Sequence, residues 1–284
     1  MSLSGPQRVA INEDLRIRAP EVIVAEVRAA RTLENRRFRL AFILTWVICI
    51  GLLGGGLFAA GKIDLTFLAK WGPYILGGIP ITIVVSLFSI ALAVVFAVLG
   101  ALGRLSARAP IYALATLYVS LVRGTPLIVQ ILFIYLALPQ IIPASAGIPV
   151  IMLAIFALAF NYGAYMTEIF RAGIQAVPRS QIEGSSALGM TEAQTMRRVI
   201  LPQAIRIIIP AIGNEFIAMI KDSALVSLMT VQELLWRAQR VGQSNFRSLE
   251  TLLLAALIYW TLTIAFSVVQ DRLEKRMAES DRRI

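Results

Sequence analysis

Two acidic side chains inside one apolar segment are the first residues in this sequence that suggest chemistry. Glu215 and Asp222 are seven residues apart and share one helix face with Ala211 and Ala218. A charged side chain at the centre of a membrane costs at least about 2.5–3.5 kcal/mol, so each carboxylate must face a cavity or a partner. Carboxylates and small side chains on one face fit a water-filled path for a ligand with an ammonium or guanidinium group.

For Glu215 the alternative is a structural bond to an arginine or to the backbone, and the sequence leaves both open. Asn161 and Tyr165 lie at helical spacing near the end of another apolar segment, where they fit either a polar path or ordinary helix packing. We predict a substrate path with these candidates: Glu215, Asn214, Asn161, Tyr165 and Asp222.

The composition indicates a membrane protein without a catalytic centre. Of the 284 residues, 58% are hydrophobic and 15% are charged, whereas soluble proteins carry about 25% charged residues. The sequence has no His, and its single Cys, Cys49, lies in an apolar run. General-base and metal chemistry based on His and an internal disulfide are therefore excluded. We predict no enzyme activity, no catalytic residue and no metal site.

Apolar runs long enough to cross a bilayer predict an all-α transmembrane bundle of about six spans. The net charge is +10, and the basic residues cluster beside the apolar runs, as topology determinants do, rather than forming a nucleic-acid site. This arrangement predicts that both termini and residues 178–206 lie in the cytoplasm. Residues 222–250 are placed outside, although their three arginines oppose the positive-inside tendency.

Residues 178–206 are too polar for hydrocarbon but are patterned like a structured loop. The pattern predicts a helix, a left-handed turn, a second helix and a bend, marked in order by Ser180, Gly189, Thr191 and Pro202. We call these residues the 178–206 loop.

Its spacing resembles the EAA loop of ABC importer permeases. That pattern reads Glu-Ala-Ala, three residues, Gly, nine residues, Ile, one residue, Leu-Pro, and here it runs from Glu183 to Pro202. The departures are small or aliphatic: Gly184, Ser185 and Val199. The sequence Arg-Gly-Thr-Pro at positions 123–126, with Leu and Gln shortly after it, resembles the polar amino acid branch of this family, the histidine and glutamine permeases.

The resemblance covers about residues 72–277 and implies a type I importer permease fold with five core spans. Residues 38–61 would then be an additional N-terminal span, after a cytoplasmic tail of residues 1–37. In the family the loop docks in a groove of a cytoplasmic ATPase. The residues that would couple to the ATPase are Glu183, Gly184, Ser186, Ala187, Gly189, Met190, Leu201 and Pro202.

By this resemblance the chain is the permease subunit of an ATP-dependent amino acid importer in the bacterial inner membrane. Residues 56–62 mimic a phosphate-binding loop, but they lie in a span and no Ser or Thr follows. No cofactor is therefore expected in this chain, and ATP and Mg would be bound by the partner ATPase. The other implied partners are a second permease chain, an extracytoplasmic solute-binding protein and an amino acid, with no nucleic acid. The alternative is an ion-coupled secondary transporter of small polar solutes, but the sequence contains no clear internal repeat.

Overall fold

The computed structural model describes residues 20–61 and 63–281, and every regular element in those ranges is a helix. The chain divides into two compact units, Met1–Asp64 and Leu65–Ile284. Five helices are long and apolar enough to cross a membrane, and a bent pair of helices can form a sixth span. The predicted all-α bundle of about six spans is confirmed.

The first unit contains α1, Pro20–Ala59, whose apolar part Arg36–Gly56 has the length of a membrane span. The helix begins well before position 38, so residues 20–37 are helical and continuous with the span. Ala, Glu and Arg are frequent in these residues and are strong helix formers. The rest of the predicted tail, residues 1–19, lies outside the described residues.

The second unit contains the remaining α-helices. They are α2 (Leu65–Leu76), α3 (Ile79–Arg104), α4 (Ala109–Arg123), α5 (Leu127–Leu132), α6 (Leu138–Ile141), α7 (Val150–Gln175), α8 (Arg179–Ala187), α9 (Glu192–Thr195), α10 (Leu201–Asp222), α11 (Leu234–Asn245) and α12 (Ser248–Asp281). Wider π turns join α5 to α6 and α9 to α10, and short 3₁₀ segments precede α7 and follow α10.

The core of the second unit is the contact between α3 and α7, which pack along much of their length. Small residues bring the two backbones close together. A Cβ on Gly100 would lie 2.2 Å from Thr167 Oγ1, and a Cβ on Gly163 would lie 2.5 Å from Phe96 Cβ. Close packing of this kind holds helices together where lipid is as apolar as the side chains.

The predicted third span is broken into two helices. The segments Ala109–Arg123 and Leu127–Ile141 meet at an angle of 104°. The sequence predicted only a loosened helix at its Gly and Pro. Pro126 has no N–H for a helical bond, and a residue before proline avoids the helical conformation, so the chain breaks between Gly124 and Pro126.

The 178–206 loop contains the predicted helix, turn and second helix, with two differences. Pro178 precedes the first residue of α8, and neither Ser180 nor any other side chain caps that helix. Gly189 has a φ of +75°. Thr191 and Gln194 form a reciprocal capping box at α9. The predicted bend at Pro202 is the second difference, because the helix continues through this residue. The π turn Met196–Ile200 widens the helix just before the proline, which has no N–H to donate.

Two arginines of the predicted outer segment, residues 222–250, have partners on α2. Arg237 donates to Tyr74 O at 3.1 Å, and its guanidinium lies 5.0 Å from the centre of the Tyr74 ring. Arg247 lies 5.0 Å from the centre of the Phe67 ring. A cation–π contact and a backbone bond therefore hold Arg237 against α2, and a cation–π contact holds Arg247 there.

Glu233 is fully buried beside this segment and caps α11. Its carboxylate accepts bonds from the backbone N–H groups of Leu235 and Trp236 and from the hydroxyls of Thr82 and Tyr259. Burial raises the pKa of Glu233, and these four donors oppose the rise. One side chain thus joins α3, α11 and α12.

We expect the change Glu233→Ala to lower the melting temperature of the purified protein strongly. It leaves several donors unpaired, and each buried unpaired donor costs about 1–3 kcal/mol. Glu233→Gln keeps one acceptor oxygen and should lower the melting temperature less. Thermal unfolding in detergent measures both variants, and equal losses would contradict the capping role.

Candidate functional site

A polar cavity lies where the broken span meets α7 and α10. Its volume is about 290 Å³. Three pieces of chain form its wall: the break between α4 and α5, the middle of α7, and the second half of α10. The lining residues are Thr125, Pro126, Leu127, Asn161, Tyr162, Tyr165, Glu215 and Asp222.

Glu215 and Asp222 face this cavity together, as their spacing on one helix face predicts. Tyr162 donates its hydroxyl to Asp222 Oδ2 at 2.7 Å. Among the residues that the structure describes, no arginine, lysine or backbone donor bonds to Glu215. The structural bond considered as the alternative for Glu215 is therefore absent from this part of the chain.

Asn161 and Tyr165 also line the cavity, from α7. Asn161 is 4% exposed and donates Nδ2 to Gln130 Oε1 at 3.1 Å. Tyr165 lies beneath Arg123, with the guanidinium carbon 5.3 Å from the ring centre. Both residues belong to the same wall as the two carboxylates.

Asn214, also a predicted residue of the substrate path, does not line this cavity. It is exposed and lies one residue, about 100° of helix rotation, from Glu215. Sequence reasoning also missed four lining residues: Thr125, Pro126, Leu127 and Tyr162. The Arg-Gly-Thr-Pro motif was the available signal for the first three.

An ionic cluster lies one turn beyond Tyr165, toward the 178–206 loop. Arg171 donates to Glu168 Oε2 through Nε at 2.9 Å and Nη2 at 2.7 Å. Arg104 Nε lies 3.3 Å from Glu168 Oε1, and Arg104 Nη1 donates to Thr116 Oγ1. These contacts join α3, α4 and α7 at the end of the bundle that carries the loop.

Most of the predicted coupling residues form an exposed surface on the loop. Glu183, Gly184, Ser186, Ala187 and Gly189 are exposed, and Met190 is half-buried. Leu201 and Pro202 are exposed too, but they lie on α10, where Leu201 borders a separate apolar groove.

Two loop residues outside that predicted set shape the surface. Leu188 is a large apolar side chain that is 82% exposed at the tip. Ser185 is buried, and its hydroxyl lies 2.9 Å from the hydroxyl of Thr195, so it ties α8 to α9. The EAA-like spacing includes both positions. Only the packing shows that Leu188 is exposed at the tip, whereas Ser185 is buried between the two loop helices.

No group of three or more His, Cys, Asp or Glu residues that could hold a metal ion occurs in the described ranges 20–61 and 63–281. The polar groups of the cavity are suited to binding a ligand rather than to transforming one. An unpaired carboxylate, a second carboxylate held by a tyrosine, and an amide together form a wall rich in hydrogen-bond acceptors.

Named proteins match most of the second unit. The L-cystine transport system permease protein TcyB of Bacillus subtilis (strain 168) is 39% identical over 215 residues, which are 75% of this chain and 90% of that protein. The arginine transport system permease protein ArtQ of the same strain is 34% identical over 209 residues, 74% and 94% of the two chains.

Solved structures agree. A crystal structure of an amino acid ABC transporter with histidines has a TM-score of 0.71 and 39% identity, and the match covers 75% of this chain and 99% of that one. An inward-facing MetNI methionine ABC transporter has a TM-score of 0.57 at 19% identity, covering 76% and 99%, and this second likeness concerns the fold alone.

The family match extends over residues 93–279 and is described as binding-protein-dependent transport system inner membrane component. The predicted resemblance to ABC importer permeases of the amino acid branch is thereby confirmed, against the alternative of an ion-coupled secondary transporter. The chain belongs to the family of binding-protein-dependent transport system inner membrane components.

Proposed function

We propose that this chain is the permease subunit of an ATP-dependent amino acid importer and that the cavity at Glu215 is its substrate path. The observation that carries the proposal is the pair Glu215 and Asp222, which line one cavity and form no ion pair within residues 20–61 and 63–281. A carboxylate in a poorly solvated site is costly until a cation compensates it. An amino acid offers that cation in its ammonium group, and a basic amino acid offers a second one.

The 178–206 loop is suited to receive a force from a separate ATPase. Its tip presents Leu188 to solvent, an apolar anchor of the kind that protein interfaces bury. The contact between Ser185 and Thr195 makes the two loop helices move together. ATP and Mg would be bound by the partner, with Glu183, Gly184, Ser186, Ala187, Gly189 and Met190 of this chain at the contact surface.

One continuous helix connects that loop to the substrate cavity. The segment Glu192–Met229 begins in the loop, passes through the π turn, and carries both Glu215 and Asp222. A displacement of the loop by the ATPase would therefore move the carboxylates directly. Rigid-body movement of this kind can switch access to a site between the two sides of a membrane.

The complete importer would contain a second permease chain, two ATPase subunits and an extracytoplasmic solute-binding protein. The loop and both termini would lie in the cytoplasm, because Arg clusters flank the spans on that side. Residues 72–277 would form the permease domain and residues 38–61 an additional span. Leu201 and Pro202 would lie at the base of the coupling surface.

We expect Glu215→Gln to raise the KM for arginine uptake roughly tenfold and the KM for a neutral amino acid much less, since a hydrogen bond to a charged group contributes about 1.5–3 kcal/mol. Uptake into proteoliposomes that contain the complete importer measures both. Asp271→Asn, an exposed site on α12, is the matched control. Equal losses for both substrates would rule out a direct contact with the side-chain cation of arginine.

We expect Glu183→Lys to abolish ATP-driven uptake while the protein still inserts and folds. Glu183 is exposed on α8, so the reversed charge disturbs the partner surface rather than the packing. Co-purification with the ATPase and uptake in proteoliposomes measure the effect. Normal association together with normal uptake would place the ATPase contact elsewhere.

Leu188→Ser should weaken association with the ATPase at least tenfold, the usual scale of an apolar interface anchor. The side chain is 82% exposed, so the melting temperature of the isolated permease should not change. Leu65→Ser, at a site 61% exposed at the start of α2, is the control and should leave association unchanged. Unchanged association in Leu188→Ser would remove the tip from the interface.

A further inference from the structure

Gln130 lies behind the wall of the cavity and bonds to both sides of the broken span. Its Nε2 lies 2.7 Å from Val122 O, 2.8 Å from Thr125 Oγ1 and 3.1 Å from Thr125 O. Its Oε1 accepts from Asn161 Nδ2 at 3.1 Å. One half-buried amide therefore joins the end of α4, the turn before α5 and the middle of α7.

The first of these bonds replaces one that the backbone cannot make. In an unbroken helix, the N–H of residue 126 would donate to the carbonyl of Val122, but Pro126 has no N–H. Val122 is only 2% exposed, and a carbonyl without a donor is costly in a membrane protein. The Gln130 amide supplies the missing donor and so stabilises the break that opens the cavity.

The same bonds fix the orientation of two amides. Three oxygens surround Gln130 Nε2, so the nitrogen must lie on that side and Oε1 must face α7. Asn161 must then turn its Nδ2 toward Gln130. If the Asn161 amide were reversed, two carbonyl oxygens would face each other.

Asn161 Oδ1 is consequently the atom left for the cavity. No protein donor reaches it within residues 20–61 and 63–281. The solvent-inaccessible polar atoms without a partner in those residues belong to Arg104, Glu168 and Thr263, so Asn161 Oδ1 is open to the cavity.

Two of the three hydroxyls that line this cavity donate into the protein. Thr125 donates to Leu121 O at 2.9 Å, and Tyr162 donates to Asp222. Tyr165 has no such acceptor among the described residues. Together with Glu215 and Asp222, the Asn161 carbonyl therefore gives this wall of the cavity mostly hydrogen-bond acceptors.

We propose that Gln130 is a positioning residue for substrate selection: it replaces the donor that Pro126 lacks and holds Asn161 with its carbonyl oxygen toward the ligand. This inference rests on the proposed function of the cavity. In this proposal three acceptors, on Glu215, Asp222 and Asn161, produce the preference for a cationic ligand. The orientation of Asn161 depends on Gln130, which lies outside the cavity.

The test compares arginine with citrulline, which has nearly the same shape but no charge on its side chain. Unlabelled arginine and citrulline compete with tritiated arginine for the complete permease–ATPase complex in nanodiscs. In Gln130→Met the Asn161 amide is free to turn its N–H₂ group inward, so the preference for arginine should fall about fivefold, the difference between a hydrogen bond to a charged group and one to a neutral group. Gln140→Met should keep the full preference, because the Gln140 amide bonds to Leu136 O, four residues earlier, and Gln140 does not line the cavity.

Two further variants separate positioning from general damage. Asn161→Leu should lower the preference as much as Gln130→Met does, and the double variant should lower it no further, because both changes remove one interaction. An equal loss of arginine and citrulline binding in Gln130→Met, or additive losses in the double variant, would each overturn the assignment.

Glu215→Gln distinguishes this failure from failure of the proposed function. If Glu215→Gln lowers the preference but Gln130→Met does not, only the role of Gln130 is wrong. If the unmodified complex has no preference for arginine, or Glu215→Gln leaves it unchanged, the cavity is not the cation site and both proposals fail.

Discussion

Hydrocarbon offers no hydrogen-bonding partner, and this constraint decides which parts of the chain are rigid and which are open. A membrane helix satisfies its own backbone, so a break needs side chains that replace the lost bonds. At the 104° break between α4 and α5, Gln130 provides that replacement. Glu233 is paired within the protein through its four donors. Glu215 has no such donor within the described residues, and it faces the cavity.

The contact between α3 and α7 offsets the cost of a Glu215 carboxylate that has no partner in the described residues. Glycines at the crossing points bring these helices to van der Waals contact, so they form a stable base that does not depend on the cavity. The ionic cluster at Glu168 adds α4 to the base at the end nearest the loop. α10 contacts the same base, but it also extends into the 178–206 loop. The element that carries the carboxylates is therefore also the element that an outside force reaches first.

Sequence reasoning was accurate where a local rule decides the outcome. The lengths of the apolar runs predicted the spans, the lack of a Cβ at Gly189 predicted its left-handed turn, and the seven-residue spacing predicted that Glu215 and Asp222 share a face. Where several bonds compete, the sequence was not sufficient. The helix continues past Pro202 because a π turn absorbs the missing N–H, whereas at Pro126 the missing N–H ends the helix. The same residue type gives opposite results: at Pro126 the Gln130 amide donates to the Val122 carbonyl that the missing N–H leaves free, whereas at Pro202 the π turn keeps the helix continuous.

The candidate site was only partly predictable for the same reason. Tyr162 and Asn161 are neighbours on α7 with types that are common in helix packing, and tertiary contacts alone assign one to Asp222 and the other to Gln130. Asn214 has a suitable side chain but the wrong angular position on α10. A transport site must also release its ligand, and this requirement fits a carboxylate without a fixed cation. A permanent arginine partner would compete with the ligand in every state. With no such partner, movement of α10 would change how much solvent or ligand surrounds the Glu215 carboxylate, and so would set the affinity for the ligand.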